Sequence, residues 1–242
     1  MGALIGGIYA AGGLDKVKQW VYDLNNLDVF NLADFTLSPH AFLKGERVIQ
    51  ALKDFVPDCL IEDLPIPYCA VASDLKTGTE VVFRSGSLYE AIRASISIPM
   101  IFSPVAHGDM LLVDGAMTNG LPLERVHRTP GDMLVAVNLD NYEWDYDDSH
   151  TKSEPDTTTL GAISRKFHSG LSALGNNYLS LTYDTLLLLM KSNIDMALRL
   201  TPPDIYLNVA LGDYGFYDYD KSEAIAQLGR EQMTGLLTAL EL

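Results

Sequence analysis

The sequence predicts an α/β domain in which strands and helices form three layers. Short apolar segments typical of strands occur between segments whose apolar residues recur at the spacing of a helix. Turn residues, chiefly glycine and proline, separate these segments. Hydrophobic residues make up 48% of the 242 residues and charged residues 20%, so the chain can bury a substantial core. Strands and helices in this mixed order are typical of a sheet covered by helices.

Three helices are predicted near the start of the chain. The first, "MGALIGGIYAAGG", ends at Gly12 and Gly13. Its small residues Gly2, Gly6 and Ala10 lie on one side, so we expect that side to press closely against another backbone. The second helix is "LDKVKQWVYDL". The third helix ends at a proline, and its apolar residues at helical spacing are Val48, Ile49, Leu52 and Phe55.

Strands and one capped helix come next. "PYCAVASDL" and "TEVVFR" are predicted strands joined by the turn Lys76-Thr77-Gly78. Ser87 and Glu90 stand at the spacing of a capping box, which predicts a helix over Ser87–Ser95. "RASISIPMIFSPV" runs from that helix through a proline-containing loop into a strand. A hairpin turn at His107-Gly108-Asp109 then leads into the strand "MLLVDG".

The second half of the chain continues the alternation. "MLVAVNL" (Met133–Leu139) is predicted as an apolar strand buried on both faces. The acidic stretch "LDNYEWDYDDSHTKSEPD" (Leu139–Asp156) is interpreted as a solvated loop. Helical segments are expected from about Leu160 to Leu200, followed by the strand "DIYLNVA". The last predicted helix spans roughly Lys221 to Leu240, and it carries Ile225, Leu228, Gln232 and Leu236 on one face.

Charge and cysteine content narrow the functional classes. The formal net charge of −15 argues against nucleic acid as a partner and gives no attraction to an anionic membrane surface. Cys59 and Cys69 form neither a disulfide framework nor a metal-binding spacing, so a reducing compartment is expected. No secretory signal is visible, and the apolar runs are too short to span a bilayer. We therefore expect a cytoplasmic protein that is peripheral to membranes at most.

Asp114 is the first candidate for a chemical role. It follows an apolar strand and precedes Gly115 and Ala116 in "LLVDGAMTNGLP". Sites in open α/β sheets collect beyond the carboxyl ends of strands, where this aspartate is predicted to stand. The alternative interpretation is that Asp-Gly is simply a turn.

The opening helix is the second candidate feature. A helix that begins with small residues is typical of the segment directly after the nucleophile elbow G-x-S-x-G, in which a serine stands on a tight strand-to-helix turn. Met1-Gly2 would then be the last two residues of that motif, and the serine would precede Met1. The alternative is a glycine-rich packing helix with no catalytic relation. A dinucleotide-binding loop is a poor fit, because the sequence has no G-x-G-x-x-G here.

The remaining serines and histidines carry weaker signals. Ser95 and Ser97 lack the flanking glycines of an elbow and are interpreted as ordinary structural serines. The histidines stand in polar or turn contexts without metal-binding spacing, and we interpret all of them as structural: His40, His107, His127, His150 and His168.

These motifs, taken in order, resemble the patatin-like phospholipases, a family of lipid acyl hydrolases, and its bacterial members in particular. The stretches that carry the resemblance are "MGALIGGIYAAG", "EDLPIPYCAVASDLKTGTEVVFRSGSLYEAIRAS", "RASISIPMIFSPV", "VDGAMTNGLP" and "FYDYDKSEAIAQLG". The resemblance covers nearly the whole chain. It implies one domain over residues 1–242, with a three-layer α/β/α fold and a mainly parallel central sheet that lacks its N-terminal strands here.

The resemblance also implies a mechanism. Members use a Ser-Asp dyad, in which the serine attacks an ester and the aspartate of a D-G-[AG] motif is the base; the bacterial type needs no metal or organic cofactor. Asp114, Gly115 and Ala116 match that motif, and Gly2 matches the last glycine of the elbow. No serine of this chain matches the nucleophile, and the oxyanion loop matches nothing either. We therefore expect a chain truncated just after the nucleophile position and inactive as it stands.

Two alternatives stay open. The chain is either part of a lipid acyl hydrolase acting on lipid or ester substrates, or a catalytically dead relative that binds lipid or a protein partner. A third possibility is an α/β domain whose likeness to the family does not extend to function. Codons upstream of Met1 that encode a glycine-rich loop and G-x-S would favour the enzyme.

Overall fold

Helices and strands alternate along the chain. The computed structural model describes residues 1–34, 41–139, 178–211 and 221–241, with Tyr214 and Asp218. The helices are α1 (Gly2–Ala10), α2 (Leu14–Asp23), α3 (Asn26–Leu32), α4 (Glu46–Lys53), α5 (Leu88–Ser95), α6 (Ala116–Asn119), α7 (Tyr178–Leu200) and α8 (Ser222–Ala239). The strands are β1 (Ala41–Leu43), β2 (Ala70–Asp74), β3 (Thr79–Phe83), β4 (Met100–Phe102), β5 (Val105–His107), β6 (Met110–Asp114), β7 (Val135–Asn138) and β8 (Ile205–Asn208). The predicted α/β class is confirmed.

The largest sheet among the described residues has four strands in the order β3-β2-β6-β5, and every pair in it is antiparallel. The predicted turns explain this for β2 with β3 and for β5 with β6. Gly78 has φ +70° and donates its N–H to the Asp74 carbonyl at 2.8 Å, and Gly108 has φ +57°. Strands joined by such tight turns must run antiparallel. These four strands thus differ from the mainly parallel sheet that the resemblance implied, and the described parallel pairs are β1 with β4 and β7 with β8.

One face of the four-stranded sheet is covered by α5, and α1 packs on α5. α5 begins as predicted, because the Ser87 hydroxyl accepts the Glu90 N–H at 3.2 Å. Its inward side chains, including Leu88 and Ile92, are fully buried. A Cβ on Gly7 would lie 3.0 Å from both Leu88 and Ile92, so a glycine lets α1 approach α5 closely.

The face of α1 that packs differs in part from the expectation. Of the three small residues expected to pack, Ala10 is buried, Gly6 is half-buried and Gly2 is exposed, and Gly7 and Ile8 are buried as well. The neighbours of this face are side chains of α5 and Tyr68 rather than another backbone, because the helix is rotated so that its Gly7–Ile8 side faces α5.

β7 is covered on one face. Ala136 and Asn138 are buried, but Val135 is 49% exposed and Val137 is 48% exposed. The prediction of a strand is confirmed, and the prediction that both faces are buried is wrong. The reason is that Ile194 of α7 packs on the face that carries Ala136, while the face that carries Val135 and Val137 stays about half exposed.

The C-terminal half of the prediction is confirmed where the structure describes it. The acidic stretch beyond Leu139, like residues 160–177 of the expected helical region, lies outside the described residues. α7, β8 and α8 match the predicted helix, strand and last helix. The amide of Gln232 on α8 bonds both the N–H and the carbonyl of Ala210, at 3.0 and 2.8 Å. No helix in the described part of the chain is long and apolar enough to cross a membrane.

Candidate active site

Asp114 is the last residue of β6 and is 8% exposed. It stands opposite Ala72 of β2 in the antiparallel ladder, and Leu112 stands opposite Asp74. Directly opposed residues share a face of the sheet, so Asp114, Ala72 and Leu112 lie on one face. Ala72 and Leu112 pack against Ala94 of α5. The Asp114 side chain is therefore on the face that α5 covers and on which α1 is stacked.

The main chain around Asp114 is fixed by close neighbours. The Asp114 N–H donates to the Ser97 carbonyl at 2.9 Å, and its Oδ1 accepts the Ala116 N–H at 2.8 Å. Gly115 has a helical backbone conformation that any residue can adopt. A glycine is therefore needed here because of the space around its Cα, and not because of its φ angle. A Cβ there would stand 2.3 Å from the Val71 carbonyl oxygen. The Asp-Gly turn offered as the alternative interpretation is thus present, and it holds a buried carboxylate at the end of the strand.

α1 begins at the same end of the sheet as Asp114. Tyr68, which precedes β2, donates its hydroxyl to the Ala3 carbonyl at 2.8 Å. Its ring also lies 3.7 Å from the position of a Cβ on Gly6. Because β2 and β6 are antiparallel, the amino end of β2 adjoins the carboxyl end of β6. Burial of the phenol raises the pKa of Tyr68, so it stays a neutral hydrogen-bond donor.

Ser97 lies in the loop that holds the Asp114 N–H, and it is fully buried. Its hydroxyl donates to the Arg93 carbonyl and accepts from the Arg93 guanidinium, both at 2.7 Å. Arg93 also donates to the carbonyls of Lys44 and Ser103, so it ties this loop to the residues after β1. Burial lowers the pKa of Arg93, while the carboxylates of Asp34 and Glu46 act in the opposite direction. These contacts fit the structural role that the sequence suggested for Ser97.

The other candidates are described in part. His107 ends β5 and makes an edge-to-face contact with Phe83, with ring centroids 5.6 Å apart. His127 is exposed. His40, His150 and His168 lie outside the described residues. Cys59 and Cys69 are free, half-buried thiols, and in the described ranges no three His, Cys, Asp or Glu side chains converge as a metal site would need.

Sequence reasoning missed the polar groups on the opposite face of the sheet. Ser73 of β2 is 3% exposed and contacts the Asp114 carbonyl and Thr118. Beyond it, Glu80 of β3 accepts hydrogen bonds from Asn119 of α6 at 2.9 Å and from the Arg125 guanidinium. The available signal was a serine directly after the apolar run Ala70–Ala72 of a buried strand, because a buried hydroxyl needs partners.

Three matches to known proteins bear on this site. The family model described as patatin-like phospholipase matches residues 1–127, which include α1, Ser97 and Asp114. An uncharacterized NTE family protein of Mycobacterium tuberculosis is 40% identical over 143 residues, covering 59% of this chain and 40% of that protein. A patatin-like phospholipase domain-containing protein of Caenorhabditis elegans is 31% identical over 160 residues, covering 62% of this chain and 12% of that protein. The match thus spans about two fifths of the length of that mycobacterial protein.

Proposed function

Since the chain belongs to the patatin-like phospholipase family, we propose that it carries the base of a lipid acyl hydrolase. The reaction is hydrolysis of a carboxylic ester through a Ser-Asp dyad, with Asp114 as the base. In such a dyad the aspartate takes the proton of the serine hydroxyl as the oxygen attacks the ester carbonyl. The aspartate passes this proton to the departing alcohol oxygen, and the acyl group stays on the serine as an acyl-enzyme. The aspartate then takes a proton from the attacking water, the acid is released, and the proton returns to the serine oxygen.

The observation that carries this proposal is the placement of Asp114. A general base must stand at a fixed position with its carboxylate near the nucleophile. The carboxylate ends a strand, is mostly buried, and is fixed through Ser97 and Ala116. It lies on the face of the sheet that carries α5 and α1, at the end of the sheet where α1 begins.

The nucleophile of this proposal is a serine directly before Met1. No serine of the chain stands in a G-x-S-x-G frame, whereas Gly2 begins a helix as the last glycine of that frame does. A residue preceding α1 would stand at the end of the sheet where Asp114 lies. The oxyanion donors, each worth about 2.7–4 kcal/mol in a serine hydrolase, would also come from residues upstream.

The test uses an extended chain, which is this sequence preceded by the in-frame codons upstream of Met1. Turnover of a p-nitrophenyl ester is measured for this chain, for the extended chain and for its Asp114→Asn variant. We expect turnover only in the extended chain. We expect Asp114→Asn to lower kcat by about 10²–10⁴-fold, the usual contribution of a general base.

Three outcomes would contradict parts of the proposal. Turnover by this chain alone that Asp114→Asn abolishes would mean that the nucleophile is elsewhere in the sequence. Full activity of the Asp114→Asn variant would remove Asp114 from the reaction. An upstream segment without G-x-S, together with an inactive extended chain, would favour the catalytically dead lipid- or protein-binding relative.

We propose that residues 1–242 belong to one domain, beyond the stretch that the family model matches. Two contacts support this. Asn193 of α7 donates to the Met117 carbonyl of α6 at 3.2 Å, and Ser222 of α8 donates to the Val21 carbonyl of α2 at 3.1 Å. The proposed partner is a lipid or ester substrate, and the proposed location is the cytoplasm, with contact to membranes peripheral at most. The net charge of −15 argues against nucleic acid.

A further inference from the structure

Two hydroxyl groups form hydrogen bonds at the turn that carries Asp114. They lie on the face of the sheet opposite to the Asp114 carboxylate. All residues of β2 are buried, and Ser73 is 3% exposed on the face away from α5. Its Oγ lies 2.9 Å from the Asp114 carbonyl oxygen and 2.8 Å from Thr118 Oγ1. The Gly115 carbonyl oxygen is more distant, at 3.4 Å. This small polar cluster joins β2, the end of β6 and α6.

The direction of the hydrogen bonds follows from the count of protons. A serine hydroxyl has one proton and can accept from other donors. A carbonyl oxygen can only accept, so at the 2.9 Å contact Ser73 donates to Asp114. The Thr118 hydroxyl has two acceptors in reach, Ser73 Oγ at 2.8 Å and the Gly115 carbonyl oxygen at 3.4 Å, and the shorter contact assigns its proton to Ser73. The result is a chain from Thr118 through Ser73 to the Asp114 main chain, in which each bond strengthens the next.

We propose that Ser73 and Thr118 are positioning residues that hold the Asp114 main chain, and with it the carboxylate, in the geometry that the reaction needs. The inference rests on the proposed function of Asp114 as the base. Ser73 holds the carbonyl of Asp114, while Ser97 holds its N–H and Ala116 its Oδ1. Bonds to three separate elements leave the residue little freedom to rotate, and a reaction can lose about 10²-fold from a 1 Å displacement of a catalytic group.

The first experiment measures kcat and KM for ester hydrolysis by the extended chain and its variants. Ser73→Ala removes the donor to Asp114, and Thr118→Val removes the second hydroxyl at nearly constant volume. We expect kcat to fall about 10-fold or more in both, with KM unchanged, since substrate binding does not involve these groups. Thr118→Ser keeps the hydroxyl and should recover most of kcat.

Thr79→Val is the matched control. Thr79 and Thr77 also form a hydroxyl pair, 2.7 Å apart, but at the exposed turn between β2 and β3. The same substitution there should leave kcat unchanged. If Thr118→Val and Thr79→Val have equal kcat values while melting temperatures fall equally, the hydroxyl pair is merely structural and the proposal is overturned. Thr118 is half-buried, so this variant gives a result even where Ser73→Ala fails to fold.

The second experiment needs no turnover. Amide hydrogen exchange at Ala116, whose N–H bonds Asp114 Oδ1, reports how firmly the turn is held. We expect faster exchange in Thr118→Val than in Thr79→Val. Unchanged exchange would refute the claim that Ser73 and Thr118 fix the Asp114 turn. Faster exchange in a chain whose activity does not depend on Asp114 would show that the two hydroxyls do fix the turn and that the proposed function has failed.

Discussion

Gly115→Ala is expected to displace the candidate base. The added Cβ would stand 2.3 Å from the Val71 carbonyl oxygen and 2.8 Å from the Val71 carbonyl carbon. A carbon in contact with a carbonyl oxygen normally lies at about 3.3 Å, so the two backbones must separate by about 1 Å. β2 is paired on both sides, with β3 and β6, and cannot yield easily. The turn that holds Asp114 therefore moves.

The magnitudes follow from overpacking and misplacement. Forcing extra atoms into a packed site usually costs about 1–3 kcal/mol. In a chain of this size each 1 kcal/mol lowers Tm by about 2–4 °C, so we expect a decrease of about 2–12 °C in the extended chain. A shift of about 1 Å in Asp114 should lower kcat by about 10²-fold. Thermal unfolding and p-nitrophenyl ester turnover measure the two effects.

Gly120→Ala is the matched control at the other end of α6. Both glycines have helical backbone angles, so the change in backbone preference is similar. At Gly120 the new Cβ would lie 3.0 Å from Cγ1 of the buried Ile194 side chain, which must shift by a few tenths of an ångström, instead of 2.3 Å from a main-chain carbonyl oxygen. We expect this variant to lose less Tm than Gly115→Ala and to keep its activity. A Gly115→Ala variant that melts and turns over like Gly120→Ala would refute the close-approach argument.

Two further predictions concern stability. Ile194→Ala should lower the free energy of unfolding by about 2–5 kcal/mol and Ile194→Val by about 0.5–1.5 kcal/mol. The reason is that the Ile194 side chain is 3% exposed in the cluster that α7 forms with β7. Urea unfolding measures both changes, and equal unfolding midpoints for the two variants would contradict the burial of Ile194. Hydrogen bonds from the Leu111 N–H and the Thr77 hydroxyl hold the pKa of Asp74 below its usual 3.8. A lowered folded-state pKa means that the stabilisation is complete above about pH 4 and is lost as pH falls through the folded pKa. Tm measured against pH should therefore show Asp74→Asn less stable than the parent at pH 7, with a gap that closes in acid; a gap independent of pH would contradict this.

Local patterns predicted most elements of the fold, and the misses have physical reasons. α3 was not predicted. It has only seven residues, although Asn25 and Asp28 give its start a local signal, a reciprocal capping box. β1 was also not predicted, because it is three residues long and pairs with β4 across a long stretch of chain, which no local periodicity encodes. The half-exposed face of β7 depends on which elements cover it, a tertiary property that its run of apolar residues does not reveal.

The candidate site also has one part that the sequence predicts and one part that it does not. Asp114 was predictable, since an apolar strand followed by Asp-Gly is a local signal. The groups that fix it were not, because Ser73 and the Asp114 carbonyl are 41 positions apart, and Tyr68 and the Ala3 carbonyl are 65 positions apart. The sequence identifies Asp114 as the candidate residue, and the fold brings together the distant partners that position it.

The two interpretations of Asp114, a turn residue or a base, make different demands on position 114. Asparagine suits turns as well as aspartate does, and its side-chain oxygen can accept the Ala116 N–H in the same way. A carboxylate that is 8% exposed carries a desolvation cost that a neutral amide largely avoids. If the turn were the only requirement, the charge would add cost without benefit. Asp114→Asn should therefore melt at the same temperature as the parent or higher while losing turnover. A variant that loses both stability and turnover would show that the carboxylate serves the fold, and the dyad would then need independent support.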